Sequence, residues 1–263
     1  MSQLQTGMLI TSIDVDVGSE NLALFNKGRF DSNFAGKSKI SQSEFSIGTA
    51  EEKAIPLILG FFNRLEIPAT WAVRGQLFDV DIETVNKIAE SPVRHEIASH
   101  SYYHSNFKQL TSDEADDELR LIAEKGKCLQ LGFKSFIFPK NRIGHLDLLE
   151  KHGYRCYRGY GDAFSDGMYI KKEGGLYDVH PSIWIGGCSD IKLLIKVFDI
   201  AVENRLPFHV WFHPWDIGTD RESTVTKLGN LLSPFYEHAE SLRREGLITI
   251  ETMFSAVEKI GKG

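Results

Sequence analysis

Met8-Leu9-Ile10-Thr11-Ser12-Ile13-Asp14-Val15-Asp16 is the stretch that decides how the chain folds. Residues 8–15 are apolar and rich in β-branched side chains, which suits a buried strand, and the run ends on two carboxylates. Strand alternation turns Asp14 and Asp16 to the same side. Two like charges held together need a cation or a proton to offset them. On its own the Asp-x-Asp pair would equally suit a solvated acidic turn.

Working outward, strand-like and helix-like segments alternate to the end of the chain. Strands are expected at 69–73, 96–99, 135–138, 154–157, 208–212 and 247–250. Helices are expected at 50–65, with Pro56 near its first turn, and at 82–90, 190–204 and 234–245. The clearest helix start is Thr111-Ser112-Asp113-Glu114, a capping box, with Gly132 as its expected stop. The stretches 18–48 and 159–189 read as irregular, the first as a loop over the domain. Repeated strand–helix alternation predicts an α/β fold with a mainly parallel sheet, and the number of strands favours a barrel in one domain spanning 1–263.

Composition narrows the function. The 263 residues are 42% hydrophobic and 25% charged, an ordinary globular balance. A net charge of −6 and the lack of any Lys/Arg run argue against nucleic acid as a partner. No run of eighteen apolar residues predicts a membrane span. Cys128, Cys156 and Cys188 are far apart and form no CxxC pair, so a thiolate metal site is excluded and reduced thiols are expected. The first residues show neither a basic segment nor a long apolar one, so a cytoplasmic location is expected.

The chemistry gathers at three expected strand ends, which converge on one face in parallel α/β folds. The first is the Asp14/Asp16 pair. The second is His95-Glu96-Ile97-Ala98-Ser99-His100-Ser101-Tyr102-Tyr103-His104. His100 and His104 are spaced for chelation from one turn or tight loop. An HExxH zinc motif fails here, because Ser99 stands where its second histidine would be. The third is Phe208-His209-Val210-Trp211-Phe212-His213-Pro214-Trp215-Asp216, where the strand delivers His213 to its end and Pro214 stops it. Period two places His209 on the same face, beneath the site. Each motif alone has a bland reading, as a turn, a surface histidine or a strand cap. Together Asp16, His100 and His104 make a one-carboxylate, two-imidazole set for a divalent metal with an open position, leaving Asp14 as base and His213 as acid.

This pattern resembles the NodB-type polysaccharide deacetylases, the fourth carbohydrate esterase family, and within it an imidase-like and peptidoglycan-deacetylase-like branch with an Asp-x-Asp first motif. The resemblance runs over roughly residues 8–254. It also takes in Ile67-Pro68-Ala69-Thr70-Trp71-Ala72-Val73-Arg74-Gly75, similar to the family's "iPaTfFv-G" strand. It implies a distorted seven-stranded (β/α) barrel, with Asp14 as catalytic base, Asp16, His100 and His104 as metal ligands, and His213 as acid. The chain departs from the family at its third motif. Ile137 stands in Phe136-Ile137-Phe138-Pro139-Lys140-Asn141-Arg142 where an arginine normally orients the base, so either Lys140 or Arg142 replaces it or the base is held differently. A loose fourth motif around Tyr177–Trp184 makes Trp184 a candidate wall of the substrate pocket.

The activity implied is hydrolysis of a C–N amide bond, with N-deacetylation of a small or carrier-linked acetamido sugar as the leading reaction. Zinc suits the ligand set best, and cobalt, nickel or manganese would also be accepted. The alternatives are a cyclic amide or ureide, as in allantoin hydrolysis, or a formamide at the same site, and a non-catalytic binding module on the same barrel.

Overall fold

The computed structural model describes residues 5–18, 22, 42–160 and 167–261. Among the described residues ten strands form one sheet: β1 (Gly7–Val15), β2 (Thr70–Val73), β3 (Glu96–Ser99), β4 (Ser135–Arg142), β5 (Cys156–Tyr160), β6 (Ile170–Glu173), β7 (Leu176–Val179), β8 (Ile183–Trp184), β9 (Pro207–Phe212) and β10 (Ile248–Glu251). Their order is β6-β7-β5-β4-β3-β2-β1-β9-β8, with β10 beside β1. Seven parallel strands, from β7 through β1 to β9, make the curved wall that the family resemblance implied. Short β8, antiparallel β6 and β10 are additions to it. Among the described residues β6 and β8 remain unpaired edges, so the barrel is open at one side.

Strand β1 is buried along its whole length and sits centrally, pairing with β2, β9 and β10. Its odd positions Leu9, Ile13 and Val15 join the layer between sheet and outer helices. Its even positions face the barrel interior, where Met8 and Ile10 meet Ala72, Ala98, Ile137, Cys156 and Val179. Helix Met253–Gly261 closes the lower end of that interior with Met253, Ala256 and Val257. Continuing upward, the same inward row becomes polar: Ser12, then Asp14.

Several expected boundaries move. Helix Gln42–Arg64 begins before residue 50, inside the stretch read as a loop, so Pro56 lies within the helix rather than in its first turn. Pro56 is exposed, so water can satisfy the carbonyl its missing N–H abandons. The rest of the expected loop 18–48 lies almost entirely outside the described residues. The capping box at Thr111 forms as read, but its helix stops at Gly126, not at Gly132. A short 3-10 turn follows and the chain reverses at Gln130, φ 55°. The stretch 159–189 contains β6, β7 and β8. Strand β6 escapes the apolar pattern because Ile170-Lys171-Lys172-Glu173 is an exposed edge. Glu173 pairs with Leu176 across Gly174-Gly175, and Gly174 takes the φ of +63° that such a tight hairpin needs. No described helix is long and apolar enough to cross a membrane.

Candidate metal centre and its acid–base flanks

Asp16 leaves β1 two residues beyond Asp14 and on the same side. His100 follows directly on β3, and the turn to His104 is tight: Ser101 and His104 take left-handed φ values of 56° and 63°. The ligand atoms of Asp16, His100 and His104 all lie within 4.8 Å of one another. Asp16 Oδ1 is 3.0 Å from His100 Nε2 and 3.4 Å from His104 Nε2.

The protonation pattern fits a cation. His100 Nδ1 lies 2.8 Å from the Ile137 carbonyl, which can only accept, so Nδ1 carries the hydrogen. In the neutral ring the Nε2 lone pair then faces a carboxylate oxygen, an arrangement that repels unless a proton or metal ion lies between. Burial lowers the His104 pKa, with only partial opposition from Asp16, and so favours the neutral form that binds metals. Burial acts against the Asp16 carboxylate, yet His104 and His100 hold its pKa well below the usual range. A divalent ion held by one anionic and two neutral donors suits this set.

Asp14 is buried, and one of its oxygens, Oδ2, accepts from Arg158, which is completely buried. The other, Oδ1, is buried with no hydrogen-bond partner among the described residues. Burial raises the Asp14 pKa, but Arg158, His100 and His213 outweigh it, so the group stays ionised. Arg158 answers the question left by Ile137. Lys140 and Arg142, the two candidate replacements, are exposed. Lys140 and Asn141 both adopt left-handed backbone in an irregular stretch of β4, and it is Asn141 that reaches inward, accepting from Arg158 at 3.2 Å. Ile137 and Arg158 are register partners on adjacent parallel strands. The guanidinium thus enters the same level of the barrel from the next strand.

Further bonds fix Arg158. Its Nη1 donates to Ser12 Oγ at 2.8 Å, and its Cζ lies 4.5 Å from the Trp211 ring centroid. Ser12 Oγ is also 2.8 Å from His209 Nε2, while His209 Nδ1 donates to the Val179 carbonyl at 3.1 Å. With Nδ1 carrying its hydrogen, Nε2 accepts from the serine hydroxyl. Burial depresses the His209 pKa to about 3, so this interior histidine is neutral.

His213 stands on the opposite flank, its Nε2 3.8 Å from Asp16 Oδ2. It caps the short helix Pro214–Ile217, and Asp216 on that helix accepts from the His213 Nδ1 at 3.0 Å and its backbone N–H at 2.8 Å. Burial would lower the His213 pKa, but the Asp216 bond and the charges of Asp16 and Asp14 lift it to about 9. Trp215 stacks on the imidazole at 4.1 Å. Trp184, 40% exposed, donates its Nε1–H to Asp216 Oδ2 at 2.7 Å and stacks on Trp211.

All five residues singled out in the sequence therefore meet at one end of the barrel. Two partners were not foreseen. Asp216 had a local signal, a carboxylate three residues after a strand-ending histidine with proline between them. Arg158 had a weaker one, a lone charge inside the strand-like run Cys156–Tyr160.

Comparisons with known proteins agree with this architecture. Residues 39–129, less than half of the chain, match the polysaccharide deacetylase family. A peptidoglycan deacetylase of Helicobacter pylori is 28% identical over 109 residues, which are 40% of this chain and 36% of that protein. A Mycobacterium smegmatis structure described as a polysaccharide deacetylase superposes with a TM-score of 0.74 at 17% identity, covering 100% of this chain and 92% of its own. A PuuE allantoinase superposes at 0.68 and 16% identity, over 95% and 89% of the two chains. The resemblance to the polysaccharide deacetylases read from the sequence holds at the level of the family, and the fold is the one these solved structures share.

Proposed function

Starting from a chain that resembles the polysaccharide deacetylases in sequence and shares their fold, we propose a divalent-metal-dependent hydrolase of a C–N amide bond. Its reaction is the N-deacetylation of an acetamido sugar or glycan precursor, carried out by 1–263 as one catalytic domain. The observation that supports this most is the Asp16–His100–His104 cluster, in which His100 Nε2 lies 3.0 Å from Asp16 Oδ1 while its Nδ1 is bonded to the Ile137 carbonyl.

Asp16, His100 and His104 would hold the ion, zinc being the best match to their chemistry. When bound, it supplies Lewis acidity toward the amide carbonyl and toward a water molecule. Asp14 accepts the proton of the attacking water at Oδ1, the oxygen that Arg158 leaves unbonded. Arg158 keeps Asp14 ionised and ready for that role. His213, oriented and charged through Asp216, protonates the departing nitrogen. Trp184 and Trp215 offer aromatic faces beside the acid, suited to the C–H faces of a sugar ring.

Hydrolysis of a ureide by the same groups is the second reading, motivated by the Asp-x-Asp form of the first motif and by the arginine missing at position 137. Arg158 at the same level removes the second of those motives. The test is a panel of acetamido sugars and cyclic ureides given to the purified, zinc-loaded protein. Acetate release from the sugars, abolished by chelation and restored by zinc, is expected. Ammonia or ring-opened product from ureides alone would overturn the substrate assignment.

A further inference from the structure

Resting on the metal reading above, we infer that Arg74 is a positioning residue that fixes the distance between Asp16 and the two histidines. The ligands come from loops after β1 and β3, two strands that are not neighbours. Strand β2 lies between them, and its continuation fills the gap. There the Arg74 backbone N–H donates to the Val15 carbonyl, Gly75 N–H to Ser101, and Gln76 N–H to Tyr102. The approach is so close that a Cβ on Gly75 would lie 2.9 Å from Tyr102 Cα, so a side chain there would push the second loop away.

The Arg74 side chain repeats this bridge at the level of the ligands. Nη1 donates to the Asp16 carbonyl at 3.4 Å, and Nη2 donates to the Tyr103 carbonyl at 2.9 Å, next to His104. The amide hydrogens of those same two residues are taken by buried carboxylates from the outer helices. Glu51 accepts from Asp16 N–H at 3.3 Å, Val17 N–H at 2.7 Å and Gly18 N–H. Glu118 accepts from Tyr103 N–H at 3.1 Å. Asp16 and Tyr103 are thus each held on both sides, by a helix carboxylate at the N–H and by Arg74 at the C=O. The second loop needs holding. Its non-glycine residues Ser101 and His104 have positive φ, a conformation that persists only where surrounding contacts impose it.

Removing groups that orient metal ligands costs about 10–100-fold in affinity. The experiment is zinc competition against a chromogenic chelator, with cobalt(II) absorption as a second readout and the melting temperature of metal-free protein as a folding control. Arg74→Gln is expected to bind zinc about 10–100-fold more weakly than wild type, with an altered cobalt spectrum. Arg74→Lys, which keeps the charge but can reach only one carbonyl, is expected to fall between the two. It also serves as the deciding variant if Arg74→Gln does not fold. Wild-type affinity in the folded variant overturns the inference while leaving the metal reading intact. Wild-type protein that takes up no zinc overturns both.

Discussion

The two flanks of the site solve one problem at opposite ranges. The acid, His213, is oriented by Asp216, three residues along the chain and on the helix it caps. The base, Asp14, is oriented by Arg158, 144 residues away on another strand. The acid flank is partly solvated and built mainly from one short stretch of chain, with Trp184 of β8 bonded to Asp216. The base flank is buried and depends on the register of β4, β5 and β1. A short-range device can be moved or lost without disturbing the fold. A long-range buried ion pair ties catalysis to the barrel itself.

That contrast is broken most severely at the base. Asp14→Asn is expected to lower turnover by about 10²–10⁴-fold while zinc stays bound, because proton transfer is lost and the ligands are untouched. Steady-state rates with elemental analysis check this, and near-wild-type turnover would remove Asp14 from its role. Arg158→Met strands the buried Asp14 charge and is expected to cost about 3–5 kcal/mol of stability, read by chemical denaturation, together with most activity. The register offers a sharper form of the same test. Since Ile137 and Arg158 are level, the double change Ile137→Arg with Arg158→Ile is expected to recover part of both losses. Failure to recover either would show that strand level does not matter.

The acid flank should respond more gently. Asp216→Asn is expected to reduce turnover by less than the full contribution of the acid, and to lower the His213 pKa from its raised value of about 9. In metal-free protein the sign of the linkage is fixed. Because the folded-state pKa lies above the ordinary 6.5, the stabilisation is fully present below about pH 6.5. It is lost as pH rises toward 9. NMR titration and denaturation midpoints across that window check it, and a pH-independent difference between wild type and Asp216→Asn would contradict it. Trp184→Phe keeps a ring but removes the bond to Asp216, and only a few-fold loss is expected from a single partly solvated hydrogen bond.

The same difference in range explains what the sequence made legible. Asp14 and Asp16 could be placed on one face because a strand alternates, and β1 does so along its length. The four-residue spacing of His100 and His104 brought both rings to one carboxylate. Arg158 could not be assigned as the partner of Asp14, because which residue of β5 lies beside Ile137 is set by pairing between strands. Lys140 and Arg142 were nearer in sequence to the missing arginine, but the left-handed turn at Lys140–Asn141 leaves both exposed and sends Asn141 inward. Strand β6 shows no alternation because it is a polar, exposed edge, although Gly174-Gly175 marks its hairpin with β7.

The most direct measurement is anomalous diffraction at the zinc edge from crystals grown with that ion. One peak is predicted per chain, about 2.0–2.2 Å from an Asp16 carboxylate oxygen and from Nε2 of His100 and His104. It should be absent from His100→Ala crystals. A peak bound elsewhere, or none at this cluster under saturating zinc, would contradict the metal centre on which the enzymatic reading stands.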